Sequence, residues 1–277
     1  MVPEGFINAS KEVIDFSLRN TKVNVIDETQ GVITVLYESL IEKIEDINLL
    51  EKNNRVGNIE IISRTFFEQY VYLSYILKKH TDTRAKALVY GYRINVSKKY
   101  KKALEQMENS GKYNLGESYA QFWDRLNFYS SVVNPKISSY DELITHYEME
   151  YSNLMINNTK PNFKNFKWYN LTGKLNNFRD LVKEVGLQDS EYEVSYSLPS
   201  TSLHGTDIVD KIKTPNSRNE NLFEGELEKF DNIKAMLALC LKNITEDIVK
   251  FYKVNNKEKV KEKLEQMRLS YKLSINK

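Results

Sequence analysis

The sequence predicts an all-α protein, a multi-helix bundle. Three observations predict it. Apolar residues recur at helical spacing along most of the chain, with no sustained period-2 alternation. Only ten glycines and five prolines punctuate 277 residues, too few for a fold that must turn every ~8–12 residues. There is no glycine-rich strand-to-helix turn and no internal repeat.

The helices follow in order. Asp27 is placed to cap a helix over residues 28–50, with an apolar stripe of Val32, Val35, Leu36, Leu40, Ile44 and Ile47. The polar stretch 53–58 breaks it. Residues 59–79 form the most apolar helix. A third starts near Asp82, capped by Thr81 or Asp82, and runs to Asn109, where Ser110-Gly111 ends it. Shorter helices are predicted over 117–132 and 139–155, separated by Asn134-Pro135. Residues 157–170 read as a loop, with Pro161 and much Asn and Lys. A helix over 174–185 is closed by Gly186, and another over 190–203 carries Pro199, which predicts a kink or a split. Residues 212–221 are a polar loop, 222–252 a long helix and 257–273 a charged one. This amounts to a single α-helical domain over 1–253 and a charged C-terminal helix over 254–277.

Composition excludes several classes. Lys plus Arg is 40 against 38 for Asp plus Glu, so at net +2 the whole chain is no polycation. One cysteine, Cys240, rules out a disulfide framework and a multi-cysteine zinc site. Hydrophobic content of 41% argues against general disorder. The first residues lack a basic segment followed by an apolar one, no run approaches the ~18 apolar residues a membrane span needs, and the lone cysteine suits a reducing compartment. The expectation is a cytoplasmic protein without a membrane anchor.

Two places carry possible chemistry. On the helix over 59–79, Ile59, Ile62, Phe66, Tyr70, Leu73 and Leu77 share one face, and Ile61, Val71, Tyr72 and Tyr75 the opposite one, as in the middle of a bundle. Arg64 and Glu68 fall on that second face one turn apart. Buried charges there require pairing, and five guanidinium N–H donors exceed what one carboxylate can accept, so Arg64 is expected to bond a second group from another helix. The pair is either a structural ion pair or part of a polar pocket. The second place is Tyr196-Ser197-Leu198-Pro199-Ser200-Thr201-Ser202-Leu203-His204-Gly205. His-Gly at a helix end is an ordinary C-cap, favoured by the helix dipole. Alternatively His204 is a general acid or base, with Ser200 one turn earlier to orient its imidazole.

These residues carry a resemblance. Ile62-Ser63-Arg64-Thr65-Phe66-Phe67-Glu68, followed by Tyr72 to Leu77, is one block. A second begins at Lys167-Trp168, continues through Leu181 to Gly186, and closes with Tyr196, Ser200 and His204-Gly205. In these blocks, over residues 27–207, the chain resembles the bacterial domain-of-unknown-function family 5677. That family's architecture and terminal His motif are similar to the HEPN class of helical bundles. Many of those are dimeric, metal-independent ribonucleases of toxin–antitoxin and phage-defence systems. The resemblance implies an RNA substrate, no cofactor, a partner protein from the same operon and a homodimer. It also implies a catalytic His204, preceded by an Arg that holds the scissile phosphate, with four to six residues between the two. Here those positions are Ser197, Leu198 and Pro199, so Arg64 or Arg179 must substitute or the ribonuclease site is absent. Glu68, Tyr196 and Trp168 complete the candidate ligand contacts.

Residues 78–102 hold nine basic residues, among them Arg93, Lys98 and Lys99, against one acid, Asp82, with Tyr90, Tyr92 and Tyr100 interleaved. The pattern suits phosphate contact with base stacking, or a solvated face balanced by acids elsewhere. In the C-terminal helix, Val260, Leu264, Met267 and Tyr271 make a narrow apolar stripe for docking to the body or to a partner helix. Asp141, Glu142, His146 and Glu150 at one-turn spacing could form a metal face, the least favoured reading. Two functions remain open: a metal-independent RNA-cleaving defence or toxin protein using His204, and a non-catalytic helical module that recognises a partner protein or small ligand.

Overall fold

The computed structural model describes residues 2–20, 27–53, 55, 58–110, 137, 139–197, 224–253 and 257–275. Among these are nine α-helices and no strand: α1 (Glu4–Asn20), α2 (Glu28–Lys52), α3 (Ile59–Lys78), α4 (Thr81–Ser110), α5 (Tyr140–Asn153), α6 (Phe178–Val185), α7 (Asp189–Tyr192), α8 (Glu224–Phe251) and α9 (Lys257–Ile275). A 3₁₀ turn, Ile156–Asn158, follows α5, and α7 runs on into a π-helical turn, Glu193–Ser197. The all-α expectation holds. The helix expected over 117–132, the loop 212–221, and both Ser200 and His204 lie outside the described residues. Contacts group the chain into two compact units, residues 1–81 with 179–277, and residues 82–178.

In the first unit, α2 starts where the sequence places its cap. The Gln30 N–H donates to Asp27 Oδ1 at 2.7 Å, and the Asp27 N–H donates to Gln30 Oε1 at 3.3 Å, a reciprocal box that satisfies two end donors. Helix α3 packs against both α2 and α8. It buries Phe66, Tyr70 and Leu73 on one side and Val71 and Tyr75 on the other, as its two apolar faces require.

A fully buried phenol ties three helices. The Tyr37 hydroxyl of α2 lies 2.6 Å from Thr245 Oγ1 of α8 and 3.3 Å from the Ser10 carbonyl of α1, and Thr245 donates onward to the Leu241 carbonyl at 2.6 Å. Burial pushes the Tyr37 pKa up, so the phenol stays a donor.

Helix α1 has no counterpart among the predicted elements, and its packing explains why. Its buried residues are Phe6, Ile7, Ala9, Ser10, Val13, Ile14 and Ser17, an apolar stripe interrupted by two serines. Both serine hydroxyls are satisfied within the helix, Ser10 on the Phe6 carbonyl at 3.0 Å and Ser17 on the Val13 carbonyl at 2.7 Å, so they bury at little cost while interrupting the apolar stripe. Asn48 of α2 holds the helix entrance, exchanging two 2.8 Å hydrogen bonds with the Val2 backbone. Helix α9 docks to the body: Val260 and Met267 are buried, α9 packs on α1, and Lys263 pairs with Glu12 at 2.7 Å.

In the second unit, α4 and α5 are laced by ion pairs, Lys98–Glu148 and Lys101–Asp141, each 2.6 Å. The segment after α5 folds back onto the unit. Tyr151 donates to the Trp168 carbonyl at 2.9 Å, and the Ile156 N–H donates to the Leu171 carbonyl at 2.9 Å. The helix expected from residue 174 starts only at Phe178, because Asn170 Oδ1 first captures the Leu175 N–H at 2.9 Å. Gly91, inside α4, sets how closely the segment approaches: a Cβ there would lie 2.4 Å from the Trp168 Cβ.

Two substitutions test this packing. Tyr37→Phe should cost about 1–2 kcal/mol, read as a lower urea midpoint with unchanged slope; no change would mean the hydroxyl is not part of the joint. Gly91→Ala should destabilise by about 1–3 kcal/mol through overpacking, although alanine is the better helix former by ~1 kcal/mol. A raised melting temperature would contradict the close approach.

Candidate functional site

Arg64 and Glu68 do not pair with each other. Both are half-buried on α3, where the sequence reading makes them a buried ion pair. Arg64 instead donates from Nη2 to the Tyr196 hydroxyl at 3.0 Å, with its guanidinium 4.4 Å from the centre of the same ring. Glu68 accepts the Tyr72 hydroxyl at 2.6 Å. Tyr196 offers the guanidinium an oxygen and a π face together, and Tyr72, one turn on, reaches Glu68 without crossing the helix. The expectation that Arg64 bonds a group from another segment is met. Its partner is a phenol 132 residues away.

The contact extends into a row. Tyr192, one turn before Tyr196, has its ring centre 5.4 Å from that of Tyr196, and the Arg179 guanidinium of α6 lies 5.3 Å from the Tyr192 ring centre. Two cations and two aromatic rings thus alternate as Arg64, Tyr196, Tyr192, Arg179. Their charges are handled differently. Arg179 bonds Asp189 at 2.7 Å and Glu193 at 3.1 Å, and these bonds with those of Lys183 hold the Asp189 carboxyl below its usual range. Among the described residues no carboxylate lies within ion-pair distance of Arg64, and its Nε is buried without a hydrogen-bond partner. Of the two arginines, only Arg179 is ion-paired among the described residues.

The π turn frames this row. Ser195, at its centre, is buried and contacts Met236 of α8 through its hydroxyl. Turns of this type occur mostly as single insertions within helices.

Three sequence candidates, Arg64, Tyr196 and Arg179, are therefore gathered in one unit, and Glu68 lies one turn along α3. Tyr192 is the member that sequence reasoning missed. Its signal is the Tyr-x₃-Tyr spacing, flanked by Asp189 and Glu193 four residues apart. Of the other described candidates, Trp168, Arg93, Lys98 and Lys99 belong to the second unit. Trp168 is buried against Gly91 and the Tyr169 ring. Arg93 donates to the Tyr147 hydroxyl at 3.0 Å, and Lys98 is paired with Glu148, so of these two the acid-balanced reading fits Lys98 alone. Lys99 is exposed. Asp141 is taken by Lys101, and no group of three or more metal-ligating side chains forms among the described residues. Cys240 is buried and its thiol is pushed up to about 12 by desolvation, so it offers no thiolate. A cleft of about 510 Å³ between α3, α6 and α8 is lined by Tyr70, Ser74, Lys78 and Asp247, but Asp247 pairs with Lys250 and Lys78 donates to the Glu184 carbonyl. No helix among the described residues is long and apolar enough to cross a membrane.

The family of unknown function DUF5677 matches residues 30–220. The chain belongs to this family. No curated protein and no solved structure matches it significantly. The DUF5677 match contains both ends of the Arg64–Tyr196 contact, together with Trp168 and Arg179, whereas α1, α8 and α9 lie outside it.

A double-mutant cycle tests the contact. Arg64→Met and Tyr196→Phe should show a coupling of about 1–2 kcal/mol in unfolding free energy, the scale of a hydrogen bond to a charged group. Additive effects would mean that the bond contributes nothing in solution.

Proposed function

We propose that the protein is a HEPN-like, metal-independent endoribonuclease in which Arg64 supplies the positive charge that the spacing before His204 lacks. The observation that supports this reading is that Arg64, alone of the two candidate arginines, has no acidic partner among the described residues while bonded to Tyr196. In the reaction, His204 takes the proton from a ribose 2′-hydroxyl. The 2′-oxygen attacks the adjacent phosphorus, and the 5′-oxygen leaves with a returned proton, giving a 2′,3′-cyclic phosphate. Arg64 faces the non-bridging oxygens, where negative charge builds. Tyr196 holds the guanidinium plane and is a positioning residue. The setting that goes with this chemistry is a cytoplasmic bacterial defence or toxin system, with RNA as substrate, a partner protein encoded alongside, and a homodimer.

A second reading, a non-catalytic module that recognises a partner protein or small ligand, has one observation in its favour. Tyr196 already occupies both an edge and a face of the Arg64 guanidinium.

Cleavage of total RNA and of a defined transfer RNA, in EDTA, separates the two. Wild type should cut, His204→Ala should lose about 10²–10⁴-fold, and Arg64→Ala about 10²–10³-fold. Arg179→Ala should stay within a few-fold of wild type, its charge being already balanced. Full activity in His204→Ala would remove the nuclease reading, and full activity in Arg64→Ala would remove the role given to that residue. No cleavage by any form favours the binding module.

A further inference from the structure

Residues 157–177 contain four lysines, seven asparagines and no aspartate or glutamate. Lys160, Lys164, Lys167 and Lys174 are all exposed, and none is paired with a carboxylate among the described residues. The segment is nevertheless firmly held. Phe163 and Phe166 pack on Tyr151 with ring centres 6.2 and 4.8 Å away. Asn162 Oδ1 accepts the Lys164 and Asn165 N–H groups at 3.1 and 3.3 Å. Aromatic side chains thus anchor the segment while its lysines stay in solvent. The excess charge extends beyond the segment: residues 82–178 hold fourteen Lys and Arg against nine Asp and Glu, net +5, in a chain of net +2. On α4, Lys98 and Lys101 are neutralised, but Lys99 and Lys102 are exposed without an acidic partner, and Tyr92, on the same outward stripe, is 63% exposed.

We infer that this acid-free lysine segment, with Tyr92 and Lys99 of α4, is a binding surface for single-stranded RNA. The lysines supply phosphate contacts and Tyr92 a stacking platform for an unpaired base. A fixed array of exposed cations without acids matches an extended polyanion, and the exposed phenol ring offers a face that only an unstacked base can use. The choice of RNA rests on the function proposed above. The charge pattern of the surface does not.

The test is fluorescence polarisation of a labelled single-stranded 2′-O-methyl RNA, which cannot be cleaved through its 2′-oxygen, against the full chain. Wild type should bind. K160Q/K164Q/K167Q/K174Q should bind at least roughly tenfold more weakly, with the slope of log affinity against log salt reduced by about 3, at ~0.7 for each phosphate of a single strand that is no longer neutralised. Tyr92→Ala should weaken binding roughly fivefold or more with the slope unchanged. No binding by wild type, wild-type affinity in the quadruple variant, or displacement of the RNA by an equal charge of poly-glutamate would overturn the proposal, the last pointing to an acidic protein. Lysine-dependent binding without cleavage of ordinary RNA removes the nuclease reading and leaves the surface; cleavage with lysine-independent binding does the reverse.

Discussion

The first unit is organised around one hydroxyl. Tyr37 is inaccessible to water, so its oxygen must find partners inside the protein, and it finds them on α8 and α1. That requirement fixes the rotation of three helices about their own axes, something apolar packing alone does loosely. Helix α3 lies against two of the three, α2 and α8, and so inherits its placement from them. Arg64 can face Tyr196 only because the helix that carries it is held in one rotation. The active-site candidate is therefore downstream of a polar joint that contains none of its residues.

What can be read from the sequence divides along physical lines. Helix α2 and its cap are legible because the capping box is a contact between neighbours three residues apart. The central position of α3 is legible because burial on two sides leaves apolar residues on two sides. Helix α1 is less so: Phe6, Val13 and Ile14 keep helical spacing, but Ser10 and Ser17, satisfied by their own helix, are buried without being apolar and interrupt the stripe. The partner of Arg64 escapes the sequence for a different reason. Spacing says that Glu68 is within reach, but the choice between a carboxylate one turn away and a phenol from a distant segment is a tertiary competition. The same holds for Lys98 and Lys101, whose acids come from α5.

The family boundary adds another division. The stretch shared with DUF5677 carries the Arg64–Tyr196 contact, but the helix against which Ser195 and the back of α3 pack, α8, is not within it. The matched residues carry both sides of that contact, and a helix outside the match packs behind them. Charge is divided too. The cations of the first unit are largely matched by local acids, as at Arg179, Lys234–Glu51 and Lys263–Glu12, while the second unit leaves several exposed lysines unmatched.

The π turn at Glu193–Ser197 has a consequence for how such chains are compared. A residue inserted into regular α-helix rotates the chain beyond it by roughly 100°, whereas a π turn takes up the extra residue within one wider turn and leaves that rotation nearly unchanged. A relative with one residue fewer there would align through a single gap and present the same face beyond it. Counting residues backwards from a motif across such a turn therefore measures chain length and not direction. The neighbour of Tyr196 is set by α3, 132 positions away, and the linear spacing between the two motifs is free to drift without disturbing their meeting.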